Sequence, residues 1–221
     1  IFDEFTLPPM VYEDGAWQSV PPLSGQEPLS LPDPIGRQTA IYTLHSEVAL
    51  FPDSFADRGL RHASFKIGFP PEFLAEVRLL VDLGLAGTEP VGVSAPDAGA
   101  KVHVAPREVL VSLLANRTPP TAAPADPDDF EVLRVVARGT RDGAPVELTE
   151  DVAVRPYAPW HLAAASLDVG VPLAIGGILM AGGAQRPGAH GAELVFEPRS
   201  FLRELARFGM RATEIETRDI Q

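Results

Sequence analysis

The sequence predicts an α+β fold, with a mixed, largely antiparallel sheet and helices mainly on one face. Two tight-turn signals, Asp14-Gly15 and Asp142-Gly143, each separate segments rich in β-branched and aromatic residues, a pattern typical of antiparallel hairpins. Several segments with helical spacing of apolar residues begin at a proline and end at a glycine. Because hairpins dominate the strand signals, antiparallel pairing and an α+β arrangement are favoured.

The first part of the chain supplies the hairpin around Asp14-Gly15 and two further strands. A loop rich in proline and glycine over residues 21–38 precedes a β-branched and aromatic segment at 39–45. A short helix follows over 52–58 and stops at Gly59. Residues 61–69 then alternate as a strand does. One face of that strand carries Phe65, Ile67 and Phe69, and the other carries Ser64, Lys66 and Gly68.

The rest of the chain contributes most of the helices. Proline and glycine signals, together with apolar stripes, predict helices over 70–84, 106–115, 172–181 and 198–208. Strands are predicted over 130–138, 146–154 and 210–216. The segment 117–129, rich in proline and aspartate, is a loop that does not mark a clear domain boundary. We therefore expect residues 1–221 to form a single domain.

Composition excludes several classes of function. The chain of 221 residues carries a net charge of -12, which repels nucleic-acid phosphates. Cysteine is absent, so disulfides and thiolate chemistry are excluded, and a reducing, cytoplasmic location is expected. The longest apolar run, 169–184, is interrupted by glycines and Pro172 and falls short of the ~20 residues of a membrane helix. We expect neither nucleic-acid nor membrane binding.

The motif His45-Ser46-Glu47 is the first candidate for chemistry. If this segment is extended, His45 and Glu47 share a face at roughly 7 Å while Ser46 points to the other, which does not fit a hydrolase triad. Two interpretations remain open. The pair lines a cleft at a strand end, or His45 is a buried histidine that pairs with a carboxylate for structural reasons.

Lys66 is the second candidate, because it lies on the polar face of a strongly patterned strand. It either binds a substrate carboxylate or is simply solvated, and the arginines are rival carboxylate binders. Those rivals are Arg37, Arg58, Arg61 and Arg155. The five histidines show no ligand spacing, so no metal site is expected. No Gly-x-Gly-x-x-Gly turn opens a helix, so no dinucleotide site is expected on this chain either.

At three short segments the sequence resembles the C-terminal, substrate-side domain of the saccharopine dehydrogenase-like oxidoreductases, which include lysine 6-dehydrogenase and carboxynorspermidine dehydrogenase. The matching segments are residues 1–5, 42–47 and 65–69, with a weaker match at 170–175 that leads to Gly188 and residues 191–193. The resemblance implies an α+β domain that shapes the substrate site and carries homodimer contacts. It also implies an NAD(P)-binding Rossmann domain upstream of residue 1, outside this chain.

The resemblance further implies hydride transfer between nicotinamide and a C–N bond of an amino acid or polyamine-like substrate, with NAD or NADP bound by the full-length protein. Catalytic roles are expected for His45, Glu47 and Lys66, and substrate-binding roles for Thr43, Ser46 and Arg155. An imidazole moves protons at neutral pH, while Lys66 and Glu47 suit a carboxylate and an ammonium group. We predict that His45, Glu47 and Lys66 converge on one cleft. The alternative is a non-catalytic relative that binds a ligand or a partner chain.

Overall fold

The computed structural model describes residues 2–94, 101–117, 129–183 and 187–218. These residues fall into two compact units, the first formed by residues 1–30 with 37–121 and the second by 31–36 with 122–221. That the two fold as one domain, as the sequence predicts, stays a prediction.

The first unit holds four helices and seven strands of regular structure within its described residues. In chain order they are α1 (Phe2–Thr6), β1 (Met10–Glu13), β2 (Ala16–Ser19), β3 (Glu27–Ser30), β4 (Arg37–Tyr42), α2 (Phe51–Ser54), β5 (Lys66–Phe69), α3 (Pro71–Asp82), β6 (Val91–Ser94), β7 (Lys101–Val104) and α4 (Pro106–Ala115). Short 3₁₀ turns lie at Glu47–Leu50 and Ala56–Arg58.

The core of the first unit lies between the sheet β3-β4-β5 and the helices α1 and α3. Phe5, Ile41 and Val77 are buried there, and the rings of Phe69 and Phe73 pack on Phe5 at centroid distances of 5.4 and 6.1 Å. Burying three aromatic rings together supplies much of the apolar area that holds a short helix such as α1 in place. The predicted hairpin at Asp14-Gly15 is confirmed as β1 paired with β2. Gly59 ends the 3₁₀ turn Ala56–Arg58 in the left-handed conformation.

The second unit is a twisted three-stranded antiparallel sheet in the order β10-β9-β8, with helices on one face. Its elements are β8 (Glu131–Arg141), β9 (Ala144–Val154), α5 (Ala164–Ala181), α6 (Ala192–Val195), α7 (Pro198–Ala206) and β10 (Arg211–Arg218). The core packs Val154 of β9 against Leu167, Val171 and Leu205 of α5 and α7. The predicted hairpin at Asp142-Gly143, the helix at Pro198 and the last strand are confirmed.

Helix α5 begins earlier than its sequence predicts. We predicted a start at Pro172, whereas the helix runs from Ala164 with Pro172 inside it. A proline within a helix removes one backbone hydrogen bond and costs roughly 3 kcal/mol. The burial of Leu167, Val171 and Ile175 on one face, about 1.5–3 kcal/mol for each large side chain, outweighs that cost.

Length and composition would also allow α5 to cross a membrane. The core helix of a globular protein meets the same two criteria, and one face of α5 is buried in the core of the second unit. The helix therefore gives only weak evidence for a membrane span.

The predicted fold class is confirmed, because the chain combines helices with strands that pair antiparallel in every described sheet. The sheet itself is subdivided. The described strands form two sheets of three strands and two of two strands rather than one continuous sheet. Strands of only four residues present two side chains to each face, which limits how far a sheet extends before a turn interrupts it.

Candidate active site

The segment that carries the His45-Ser46-Glu47 motif leaves the sheet before the motif begins. Strand β4 ends at Tyr42, and Ser46 precedes the 3₁₀ turn Glu47–Leu50. The extended conformation that we assumed for this motif is therefore wrong. The turn folds the side chain of Glu47 back, so that one of its carboxylate oxygens, Oε2, lies 3.2 Å from His45 Nδ1 instead of on a strand face roughly 7 Å away.

The imidazole of His45 lies between two carboxylates. Nδ1 contacts Glu47, while Nε2 lies 3.6 Å from the Oε2 atom of Glu4. The ring also stacks on Phe65, with a centroid distance of 4.0 Å and an interplanar angle of 18°. The His45 side chain is 25% exposed, which leaves one edge of the cluster open to solvent.

Glu4 reaches His45 because its neighbours anchor helix α1. Phe5 is buried in the core, and Asp3 accepts a hydrogen bond of 2.7 Å from the guanidinium of Arg107. The same guanidinium donates to the backbone carbonyl of Ala86 at 2.8 Å. These contacts hold the short helix in place, with Glu4 next to the imidazole.

The facing atoms Glu4 Oε2 and His45 Nε2 are both buried, and neither has a hydrogen-bond partner among the described residues. Their separation of 3.6 Å is an ion-pair distance and is too long for a good hydrogen bond. An imidazole between two carboxylates can carry a proton on either nitrogen and hand it to a bound group. The cluster is chemically suited to hold an amine and to move a proton.

Lys66 occupies a second polar cluster, on the face of β5 opposite Ile67. Its Nζ lies 2.6 Å from Glu27 Oε2 and 4.6 Å from the centre of the Tyr42 ring. Tyr42 and Lys66 are direct cross-strand partners of β4 and β5. The Lys66 side chain is 20% exposed, so it is largely covered rather than simply solvated.

Gly25 provides the space for the Tyr42 ring. Its backbone has a φ of +66°, and a Cβ at this position would lie 2.1 Å from the ring. Only glycine combines this left-handed conformation with so close an approach. Gly25 therefore sets the position of Tyr42 and, through it, the environment of Lys66.

The structure brings together two of the three predicted catalytic residues. His45 and Glu47 are in contact, whereas Lys66 contacts Glu27 and Tyr42. The partners of His45 are instead Glu4, Glu47 and Phe65. Phe65, which stacks on His45, directly precedes Lys66 in the chain. The convergence of all three residues on one cleft stays a prediction.

The three predicted substrate-binding residues differ in their surroundings. Thr43 is buried, and its hydroxyl has no hydrogen-bond partner among the described residues. Ser46 is exposed and its side chain makes no cap hydrogen bond. Arg155 is exposed in the second unit, where its guanidinium lies 4.5 Å from the centre of the Phe130 ring. Their substrate contacts stay predictions.

Sequence reasoning missed four residues that build these clusters: Glu4, Glu27, Tyr42 and Phe65. Glu4, Tyr42 and Phe65 all lie within the segments that carry the family resemblance, and this was the available signal. Glu27 lies in the segment that we predicted as loop, and nothing in its local pattern indicates a contact with Lys66, 39 residues away.

A separate group of carboxyls lies in the second unit. Burial, followed by a hydrogen bond and repulsion from Asp168 and repulsion from Asp129, raises the pKa of Glu131 to about 7. Asp129 accepts a hydrogen bond from the backbone N–H of Ala164 at the start of α5. A protonated Glu131 can donate to Asp168, whose Oδ1 is otherwise without a donor. Within the described ranges, no group of three or more His, Cys, Asp or Glu residues is arranged to hold a metal.

Comparison with known proteins shows a solved structure that shares this fold. The chain is similar to the apo, histidine-tagged saccharopine dehydrogenase (L-Glu forming) from Saccharomyces cerevisiae, with a TM-score of 0.68 at 14% identity. The match covers 98% of this chain and 60% of that chain. The resemblance is thereby confirmed for the fold. No family model matches the sequence, and no curated protein matches it.

Proposed function

We propose that this chain is the substrate-binding and dimerisation part of an NAD(P)-dependent oxidoreductase that acts on the C–N bond of an amino acid or a related amine. The observation that carries the proposal is the fold shared with saccharopine dehydrogenase over 98% of the chain. The cluster of His45 with Glu47 and Glu4 supports it, because these groups suit an ammonium and a mobile proton. A cytoplasmic homodimer belongs to the same proposal.

In this proposal His45 accepts or returns a proton at a ring nitrogen, and Glu47 orients the ring through Nδ1. Lys66 binds a substrate carboxylate after the carboxylate of Glu27 moves away from its Nζ. The ring of Tyr42 keeps the ammonium group of Lys66 in position. The buried hydroxyl of Thr43, two residues before His45 in the chain, supplies a hydrogen bond to the substrate. Ser46 and Arg155 are further candidates for contact with the substrate.

NAD or NADP, when bound, supplies the hydride chemistry. Three of the described helices are poorly suited to the pyrophosphate of such a cofactor. Helices α3, α4 and α7 each begin at a proline, which lacks the N–H that a phosphate needs, and no glycine-rich turn leads into them. We therefore assign cofactor binding to another part of the full-length protein.

A second candidate function is a non-catalytic relative of this domain. The observation that favours it is the ion pair between Lys66 and Glu27, which already neutralises the lysine that a substrate carboxylate would need. Both ring nitrogens of His45 likewise face carboxylates of the chain itself, those of Glu4 and Glu47. Such satisfied polar groups are typical of structural roles as well as of sites.

The test measures NAD(P)H oxidation by the full-length protein with a panel of amino acids and carbonyl partners. We expect His45→Gln to lower kcat by about 10²-fold or more, as for loss of a general acid–base group. Lys66→Met should mainly raise KM. His62→Gln is the matched control, because His62 also lies between two carboxylates, Glu13 and Asp14, but is 59% exposed. Turnover that is unchanged in His45→Gln would contradict the proposal.

A further inference from the structure

The structure has a positively charged groove between helix α7 and the start of strand β10. The groove has a volume of about 680 Å³, and three of its lining residues are Arg199, Arg203 and Arg211. All three arginines are exposed, and none forms an ion pair with a carboxylate among the described residues. This is notable in a chain whose net charge is -12.

The one acidic residue in the lining of the groove does not neutralise these arginines through a close contact. The carboxylate of Glu197 accepts hydrogen bonds from the backbone N–H groups of Arg199, at 3.0 Å, and Ser200, at 2.7 Å. It thereby caps the N-terminus of α7. Three guanidiniums against one carboxylate leave the groove with an excess of positive charge.

The two arginines on α7 repel each other, which destabilises the helix unless an anion binds between them. Arg199 and Arg203 are one turn apart on α7, and like charges at this spacing destabilise a helix. Among the described residues, Arg203 donates hydrogen bonds to the backbone carbonyl of Arg199 and the hydroxyl of Ser200, and its charge also attracts the carboxylate of Glu197. Attraction between Arg203 and Glu197 offsets part of this repulsion, so the excess of positive charge in the groove, rather than the repulsion, is what points to a ligand.

The walls of the groove are firm and partly apolar. Leu202 packs on the core of the second unit beside the buried Leu205, so the helix that carries two of the arginines is anchored. Ala206 and Ala212 are small and leave room between the helix and the strand. The groove is shallow and open to solvent, so a small anion lies along the arginines and is not enclosed.

We propose that this groove binds a small organic dianion, whose two negative charges are held by the guanidiniums of Arg199, Arg203 and Arg211. Guanidinium groups match carboxylate and phosphate oxygens equally well in geometry, so the shared chemistry is the dianion rather than one functional group. The carbon frame of the ligand lies against Leu202 and the two alanines. The site uses no residue of the proposed catalytic cluster.

The test is calorimetric titration of the full chain with succinate, inorganic phosphate and acetate at low ionic strength, without NAD(P)H. The proposal is supported if succinate, phosphate or both bind more tightly than the monoanion acetate. Whichever of the two dianions binds more tightly indicates the ligand class. Arg203→Gln and Arg211→Gln should each weaken binding about tenfold, as for loss of a charge-assisted hydrogen bond.

Arg207→Gln is the matched control, because Arg207 lies on the same stretch of chain but forms an ion pair of 2.6 Å with Glu204. Its effect on binding should be less than about twofold. The proposal is overturned if neither dianion binds, if acetate binds as tightly as both, or if Arg207→Gln weakens binding as much as Arg203→Gln. An acidic peptide that binds far more tightly than either dianion would also overturn it. Because binding is measured without turnover, the result does not depend on the proposed function.

Discussion

The guanidinium of Arg134 donates two hydrogen bonds, of 2.6 and 2.7 Å, to the carboxylate of Asp151 across strands β8 and β9. The two residues are direct cross-strand partners, and the Asp151 side chain is 9% exposed. The hydrogen bond with Asp151 is the main cause that raises the pKa of Arg134 above its ordinary value. The pair lies on the face of the sheet opposite Val154 and fixes the register of the hairpin.

We predict that Arg134→Met destabilises the protein by about 2–4 kcal/mol, because it leaves a buried carboxylate without its partner. Urea unfolding measures the change. Glu147→Gln is the control, since Glu147 pairs with Arg138 four residues along the same strand, where the Arg138 side chain is 72% exposed. That control should cost less than about 1 kcal/mol. Equal losses in the two variants would mean that burial of the pair is not what matters.

Gly25→Ala should destabilise the protein more than Gly59→Ala. Both glycines have a positive φ, so each substitution costs roughly 1 kcal/mol for the left-handed backbone. Only at Gly25 does the new methyl also meet the Tyr42 ring, whereas no atom lies within 4 Å at Gly59. We expect an additional loss of about 1–3 kcal/mol, measured by thermal unfolding. A smaller loss at Gly25 than at Gly59 would show that Tyr42 moves without cost.

Glu131→Gln should change how stability depends on pH. The raised pKa, about 7 against an ordinary value of 4.5, means that the folded state holds this proton between those pH values while the unfolded state releases it. Stability of the unsubstituted protein therefore falls as pH rises from about 4.5 to about 7, and the substitution removes that fall. Because solvent screens the partly open carboxyl, we expect a gain on the order of 1 kcal/mol above pH 7.

Urea midpoints at about pH 5 and about pH 8 would measure this difference. Glu150→Gln serves as control, because it removes a carboxylate from the same face of the sheet without removing the contact between Glu131 and Asp168. Its stability profile should run parallel to that of the unsubstituted protein. A profile of Glu131→Gln that is also parallel would rule out the shared proton.

The ion pair between Lys66 and Glu27 should contribute measurably to stability. Glu27→Gln leaves a largely covered ammonium without its carboxylate, and we expect a loss of about 1 kcal/mol in unfolding experiments. The control is Asp14→Asn, in which the carboxylate partner of Arg61 is removed from a pair whose side chains are 69% and 71% exposed. This control should change stability by less than about 0.5 kcal/mol. A larger loss in the control would contradict the prediction.

Much of the fold could be predicted because its signals are local. The turn at Asp142-Gly143 and the helix that begins at Pro198 depend on backbone preferences of a few adjacent residues, and both appear where the sequence predicts them. The hairpin of β6 and β7 was missed. Its strands have four residues each, and so short a segment shows too little alternation to separate it from a loop.

The candidate site was predicted only in part, for a different physical reason. The residue types and the motif at His45 and Glu47 were visible, but their contact depends on a 3₁₀ turn that follows the strand. Glu4 and Glu27 come to the site from positions about 40 residues away in the chain. No local pattern reports such long-range contacts.

The sequence by itself determined the α+β class, the two tight hairpins and the apolar faces of the helices, because these follow from backbone preference and periodicity. Only the tertiary structure decided which carboxylate faces His45, which one neutralises Lys66, and that α5 continues through Pro172. Each of these depends on burial and on the distance between residues remote in sequence. In such contacts, packing and electrostatics between distant segments outweigh what neighbouring residues prefer.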